Sequence, residues 1–338
     1  MLKNEFKKSM YGITVILILF IASYILTIIL SKDNMSVRDV QYYKEYINNL
    51  KGELTLDKES YIQDEYNRVN LVIEINNELI MNGEKINQDE MQYALEHQNA
   101  FSRVYEKYLH LKTLSGDERF FYFDLDVLRF LNNTNLNYFE IFIIVIISLN
   151  SVTMDFRDKR DQTIKTTYNG KIKYVLIKQN ALFIITSLIA VIFCLIESIY
   201  LLSSVDNGIL FLPVRSMQNF SNLNINISVG EYVLIRTLYH IIWCMVCSLI
   251  MVTIGLLIKK FQTGIFIAFV SIVIPLALRH IIDKDYLIWI YSIHMTKNEA
   301  LSNYGVFDII NALIMMIIIY TINIYLWVES GKKNSYSN

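Results

Sequence analysis

Apolar residues in this chain collect into long runs, and polar residues collect between them. A helix needs about 20 mostly apolar residues to cross a bilayer, because the hydrocarbon core is about 30 Å thick and a helix rises about 1.5 Å per residue. Six runs reach or approach that length: 11–30, 136–152, 174–203, 231–258, 263–278 and 306–328. The second and fifth are short, so they are expected either to tilt little or to have their ends carried by flanking aromatic and polar residues. The pattern predicts an all-α integral membrane protein with six transmembrane helices.

Residues 31–135, between the first two runs, have a different rhythm. Val40, Tyr43, Ile47, Leu50 and Leu54 recur at spacings of 3, 4, 3 and 4, and Ile62, Tyr66, Val69 and Ile73 repeat the pattern. That spacing places each set on one face of a helix. Asn87 followed by Glu90 has the form of a capping box opening a third helix, with Met91, Ala94, Phe101, Tyr105 and Tyr108 as its inner stripe. A helical hairpin or small bundle is expected, its stripes packed as core. Phe120, Phe121, Tyr122 and Phe123 lead back to the membrane, and rings of this kind are expected at its interface.

Charge sets the orientation. With the amino terminus inside, cytoplasmic segments hold thirteen basic residues: Lys3, Lys7, Lys8, Arg157, Lys159, Arg160, Lys165, Lys171, Lys173, Lys259, Lys260, Lys332 and Lys333. The short outer loops then hold Arg215, Arg279, Lys284 and Lys297. This is the asymmetry of the positive-inside rule. Both termini are therefore expected in the cytoplasm, and 31–135 outside as a helical extracytoplasmic domain with 12 basic and 19 acidic residues, a net charge of about -7. The run at 11–30 follows three lysines but precedes Ser31-Lys32-Asp33 rather than a small-residue cleavage site, so it is expected to stay as an anchor. The expected division is 1–30 as cytoplasmic amino terminus and anchor, 31–135 outside, 136–328 as a five-helix membrane domain, and 329–338 as a cytoplasmic tail.

Composition agrees and narrows the function classes. Hydrophobic residues make up 54% of the 338, with only 11 Gly and 2 Pro, and the mean hydropathy is +0.34. A lipid bilayer is thus an expected partner, and a net charge of -1 gives no basic footprint for nucleic acid. There is no G-x-x-x-x-G-K-[ST] loop for nucleotide phosphates, and no H-E-x-x-H or G-x-S-x-G string, so the chain is not expected to be an enzyme. Cys194, Cys244 and Cys247 all fall within apolar runs. Cys244 and Cys247 have C-x-x-C spacing, but without a second pair no metal site is expected. The five histidines, His240 among them, are scattered and expected to be satisfied or at the surface.

Ionisable residues within membrane runs are costly and usually functional. Glu140 and Arg236 lie near the outer ends of their runs and are expected to snorkel to water. Glu197, beside Ser198 and Tyr200, is the candidate for a translocation pathway.

The most informative stretch is 154–173, the polar loop after the second run, followed by Lys178 at the start of the third. It is dense in charge, includes the i,i+4 pair Asp161 and Lys165, and turns at Tyr168-Asn169-Gly170. An ordinary positive-inside loop would need basic residues but not this arrangement. It is expected to be a docking element for a soluble partner.

In order and content the stretch resembles the type-2 permease family of bacterial ATP-binding-cassette (ABC) exporters. Asp155 and Phe156 match that family's acidic-aromatic start, Thr166 and Thr167 its hydroxyl pair, Asn169, Gly170 and Lys171 its turn, and Lys178 the lysine entering the third span. Asp155 stands where Glu is usual and Lys159 where Gly is common. The segment 279–293 is similar to the short helices that dip into the outer leaflet in that family. The resemblance implies a permease subunit with no cofactor of its own, ATP and Mg being held by a separate nucleotide-binding subunit. It implies a second permease, in a homodimer or heterodimer, and export of an amphiphile such as a peptide or antibiotic. Asp155, Phe156, Arg157, Asp158, Arg160, Thr166, Thr167, Gly170, Lys171 and Lys178 would couple to the ATPase subunit. The competing expectation is a membrane receptor or sensor whose outer domain binds a ligand.

Overall fold

The computed structural model of the chain describes residues 36–82, 87–132, 137–157, 163–164, 172–221, 223, 225–278 and 306–332. They form two compact units. One draws on the segments Lys32–Phe130 and Leu201–Val233, the other on Leu131–Tyr200 and Leu234–Asn338.

The first unit is helical. Helix α1, Val37–Leu50, starts where the Ser36 hydroxyl accepts the Asp39 N–H at 3.1 Å, satisfying one of the unpaired amides of the first turn. Its stripe Tyr43, Ile47 and Leu50 is buried as the spacing predicts. Leu54 is not part of this helix. The chain turns at Gly52, whose φ of 105° excludes most other residues, and enters strand β1, Gly52–Glu53, paired antiparallel with β2, Phe120–Phe121. Helix α2, Leu56–Tyr66, continues through a π-helical turn, Asn67–Leu71, into α3, Val72–Met81. The wider turn shifts the periodicity, so the buried positions are Ile62, Glu65, Val69 and Asn76, while Tyr66 and Ile73 are half-buried.

Helix α4, Gln88–Lys112, carries Ala94, Phe101, Val104, Tyr108 and Leu111 into the core beside the α1 stripe. Each such large side chain contributes roughly 1.5–3 kcal/mol by leaving water. Asn87 occupies the N-cap position as expected, yet its side chain makes no capping bond. Asp89 and Glu90 in the first turn complement the helix dipole instead.

The aromatic run at 120–123 departs from expectation. Phe121 and Tyr122 are fully buried inside this unit, not placed as an interfacial belt: β2 seats Phe121 over the core, and Tyr122 packs under the Lys107 ammonium. Helix α5, Leu125–Asn132, follows. Beside it Lys107 is buried, its ammonium donating to the Tyr122 carbonyl and to Asp124 Oδ2, each at 2.7 Å. Tyr43 donates to Asp124 Oδ1 at 2.8 Å. Burial pushes the Lys107 ammonium below its ordinary pKa, with Asp124 opposing.

The stretch after the third apolar run, expected as a plain outer loop, is built into this unit. Its three short 3-10 turns, Asn207–Phe211, Val214–Ser216 and Gln218–Phe220, are anchored by polar bonds. Arg215 Nη1 meets Glu118 Oε1 at 2.9 Å, the Ser216 hydroxyl donates to the Glu118 carbonyl at 2.6 Å, and Tyr122 donates to the Pro213 carbonyl at 3.2 Å.

The second unit is a helix bundle: α6, Asn137–Arg157; α7, Lys173–Ser204; α8, Val229–Ile258; α9, Phe261–Leu278; and α10, Val306–Lys332. Four stretches are long and apolar enough to cross a membrane: Phe139–Arg157, Lys173–Ser203, Val229–Ile258 and Ile309–Glu329. Together they make the chain a multi-pass membrane protein. In α9 the apolar part, Phe261–Ile272, is shorter. The expected span at 11–30 and the segment 279–293 lie outside the described residues. Leu188 and Leu195 of α7, Phe266 and Phe269 of α9 and Ile317 and Ile318 of α10 are exposed, as lipid-facing side chains are.

Close packing within the bundle rests on two glycines. Lys259 adopts φ 58° and its N–H caps the Gly255 carbonyl at 2.9 Å, so α8 turns into α9 within two residues. A Cβ on Gly255 would stand 3.2 Å from Val152 Cβ, and one on Gly264 3.4 Å from Leu149 Cδ2. Both glycines let their helices approach α6 closely.

Candidate functional site

Of the residues assigned to the docking loop, Asp155, Phe156, Arg157 and Lys178 are described, whereas Asp158, Arg160, Thr166, Thr167, Gly170 and Lys171 lie outside the described residues, as does the pair Asp161 and Lys165. Helix α6 continues through 154–157, so the acidic-aromatic start of the loop is the last helical turn. Between the two helices that flank the loop, Thr163 and Ile164 are helical.

Asp155 is fully buried at the end of α6. Its Oδ2 accepts from the Tyr174 hydroxyl at 2.5 Å and from the Lys178 ammonium. Lys178 Nζ also lies 3.2 Å from Tyr174 Oη. Tyr174 and Lys178 are one turn apart on α7, which aims both at the same carboxylate. Aromatic contacts extend the cluster. The Tyr174 ring lies 5.4 Å from Trp327 of α10, Phe156 lies 6.0 Å from the same indole, and Lys259 Nζ is 5.5 Å from the Phe156 ring centre. Arg157 is exposed. The structure thus joins Asp155 and Lys178 to each other and turns Arg157 outward. Tyr174, Trp327 and Lys259 were missed in the sequence, although the Tyr174 and Lys178 spacing was a readable signal.

Toward the other end of α6 is a second polar cluster. Glu140 is 2% exposed, and Arg236 and Glu197 are each 8% exposed, so the expected snorkelling of Glu140 and Arg236 does not occur. Each has an internal partner instead. Glu197 Oε2 lies 3.9 Å from Arg236 Nη2. Glu140 Oε2 lies 2.7 Å from His240 Nε2, and the Cys244 thiol donates to Glu140 Oε1 at 3.2 Å. Glu197, singled out for a pathway, is part of an ion pair between α7 and α8.

A third cluster belongs to the helical unit. Glu65 Oε1 accepts from the Tyr46 and Tyr93 hydroxyls, both at 2.7 Å, and Tyr46 Oη lies 2.9 Å from His97 Nδ1. The His97 ring is stacked between Tyr42 and Tyr93, at 4.0 and 4.2 Å between centres. Burial pushes the His97 imidazole below its ordinary pKa, with Glu65 pulling the other way, and burial pushes the Tyr46 and Tyr93 hydroxyls up. Arg68 covers the Tyr93 face at 4.1 Å. The arrangement ties α1, α2 and α4 together and leaves Tyr42, Tyr93 and His97 half-buried.

No protein-family model, no curated protein and no solved structure matches this chain.

Proposed function

We propose that the chain is the membrane-spanning permease subunit of a bacterial ABC exporter of the type-2 kind. In this reading six helices cross the cytoplasmic membrane, both termini are cytoplasmic, and the helical unit lies outside. A separate subunit binds ATP and Mg, a second permease completes the pathway, and the cargo is an amphiphile such as a peptide or antibiotic.

The observation that carries the reading is the buried pair of Asp155 and Lys178 at the two roots of the polar loop. A loop pushed by a partner moves helices only if its ends are fixed to them. Asp155 is held to Lys178 and Tyr174, and the Tyr174 ring reaches Trp327, so α6, α7 and α10 converge on one point. Displacement of the loop would then shift several helices together, which is what a switch between inward-open and outward-open arrangements requires.

The roles of the loop residues separate accordingly. Asp155 and Lys178 position the loop, and exposed Arg157 is the residue that meets the ATPase subunit. The test is purification of the tagged chain from its native cell in nanodiscs, with identification of a co-purifying Walker-motif protein and assay of its ATPase activity. Arg157→Glu is expected to abolish co-purification while the chain still folds in the membrane. Undiminished capture by that variant, or a clean preparation without an ATPase, sinks the reading, and a bound kinase or envelope protein would favour a sensor.

A further inference from the structure

We propose that Glu140, His240 and Cys244 form a binding site for a borderline-soft divalent transition-metal ion, zinc(II) being the ion whose preferences they fit. This inference is independent of the exporter reading. One carboxylate oxygen, one imidazole nitrogen and one thiol sulfur lie within 4.8 Å of one another, drawn from α6 and from one face of α8. Such a mixed O, N and S donor set suits zinc, while calcium and magnesium prefer oxygen alone.

The separations are close to those that a tetrahedral ion imposes. Zinc bonds of about 2.0–2.2 Å to nitrogen or oxygen and about 2.3 Å to sulfur give ligand-to-ligand edges of about 3.3 Å for N to O and about 3.6 Å for S to N or S to O. Cys244 Sγ is 3.6 Å from His240 Nε2 and 3.2 Å from Glu140 Oε1. Two edges must open as the ion enters: His240 Nε2 to Glu140 Oε2, at 2.7 Å, by about half an ångström, and Cys244 Sγ to Glu140 Oε1, at 3.2 Å, by about 0.4 Å. His240 and Cys244 are one turn apart, so helix geometry already aligns them.

Charge balance favours the same ion. Binding releases the thiol proton and displaces the proton held between His240 Nε2 and Glu140, to solvent or to His240 Nδ1, and a divalent ion with one thiolate, one carboxylate and a neutral imidazole is neutral overall. A neutral complex is the form that a buried site in a membrane helix tolerates best. Three protein ligands leave a fourth position open, as in zinc sites that exchange water or a further ligand. The two remaining thiols of the chain, Cys194 and Cys247, are buried within electrostatic range of Glu140. The ion would fasten α6 to α8, well away from the Asp155 cluster at the opposite end of α6.

The experiment uses the full chain in nanodiscs, stripped with a chelator and then dialysed against zinc chloride. Elemental analysis is expected to find one zinc per chain, and competition with a chromophoric chelator to show affinity falling by about 100-fold or more in Cys244→Ala and His240→Gln, beyond the ~10–100-fold that outer-shell changes cause. His97→Gln, in the other unit, is expected to bind as the parent does. Cobalt(II) substituted into the parent protein should give a thiolate-to-cobalt charge-transfer band and the d–d bands of a tetrahedral centre, a readout that does not depend on either variant folding. No bound metal, cobalt without a thiolate band, or zinc held equally by Cys244→Ala would each overturn the proposal.

Discussion

Lys178 and Asp155, 23 residues apart in sequence, meet as a buried ion pair whose shared third member is the Tyr174 hydroxyl. Neither charge is open to solvent, so each needs the other. Removing one partner of a buried pair typically costs about 3–5 kcal/mol, because a charge is left without a match, while replacing both by apolar residues is often close to neutral. Lys178→Met is therefore expected to lower stability in nanodiscs by about that amount. Asp155→Leu with Lys178→Met should recover most of it, less the ~1–3 kcal/mol of a Tyr174 hydroxyl deprived of its acceptor. Equal losses in the single and double variants would show that the two residues are not coupled.

The same logic applies to Lys107 and Asp124 in the helical unit, with a different geometry around it. Asp124 accepts from both Lys107 and Tyr43, and Lys107 also holds the Tyr122 carbonyl, so one ammonium fixes β2 and the start of α5 against α4. Lys107→Met should cost about 3–5 kcal/mol and expose the segment to exchange. Hydrogen exchange of the full chain is expected to show lost protection at Phe121 and Leu125 while α8 stays protected. Unchanged exchange at Phe121 would mean that the apolar core alone holds this segment.

Particular residues show what hydropathy could and could not reveal. Helices α7, α8 and α10 were legible because their apolar runs are long enough to exclude other structures. The end of α6 was not, because Asp155 is polar by type and is buried against Lys178 and Tyr174 of another helix. Phe121 and Tyr122 were assigned to the interface because an aromatic run has the same composition at a membrane surface and in a core; pairing with Gly52–Glu53 decides between them. His240 and Cys244 could be read from their spacing, but Glu140 is 100 residues from His240, and no local pattern brings it there. For the same reason the bond of Arg215 to Glu118, 97 residues apart, left the 3-10 segment looking like a plain loop.

Stability of the helical unit should depend on pH through His97. Its folded pKa lies below the ordinary value of 6.5, chiefly through burial between Tyr42 and Tyr93. The unfolded chain therefore binds the proton more readily, and linkage makes the native state lose stability as pH falls below about 6.5, levelling off once the folded imidazole also protonates. His97→Phe keeps the stacking and removes the titration. Thermal melts of the full chain between pH 7.5 and 5.5 are expected to fall for the parent and to fall less for the variant. Identical slopes would assign the pH dependence to other groups.

Asn323 is fully buried on α10, although much of that helix faces outward. Its Oδ1 accepts from the Thr253 hydroxyl at 2.8 Å and its Nδ2 donates to the Leu249 carbonyl at 3.2 Å, so one amide fixes both the rotation and the height of α10 against α8. Hydrogen bonds between membrane helices are worth about 0.6 kcal/mol on average and up to about 1.7. Asn323→Leu is expected to cost toward the upper end of that range, since it removes both bonds, and Thr253→Val toward the average, since it removes one. The double variant should cost no more than Asn323→Leu alone, because the Thr253 bond is already lost there. Unfolding equilibria in bicelles measure all three. Additive losses would mean that Thr253 supports α10 through a contact other than this amide.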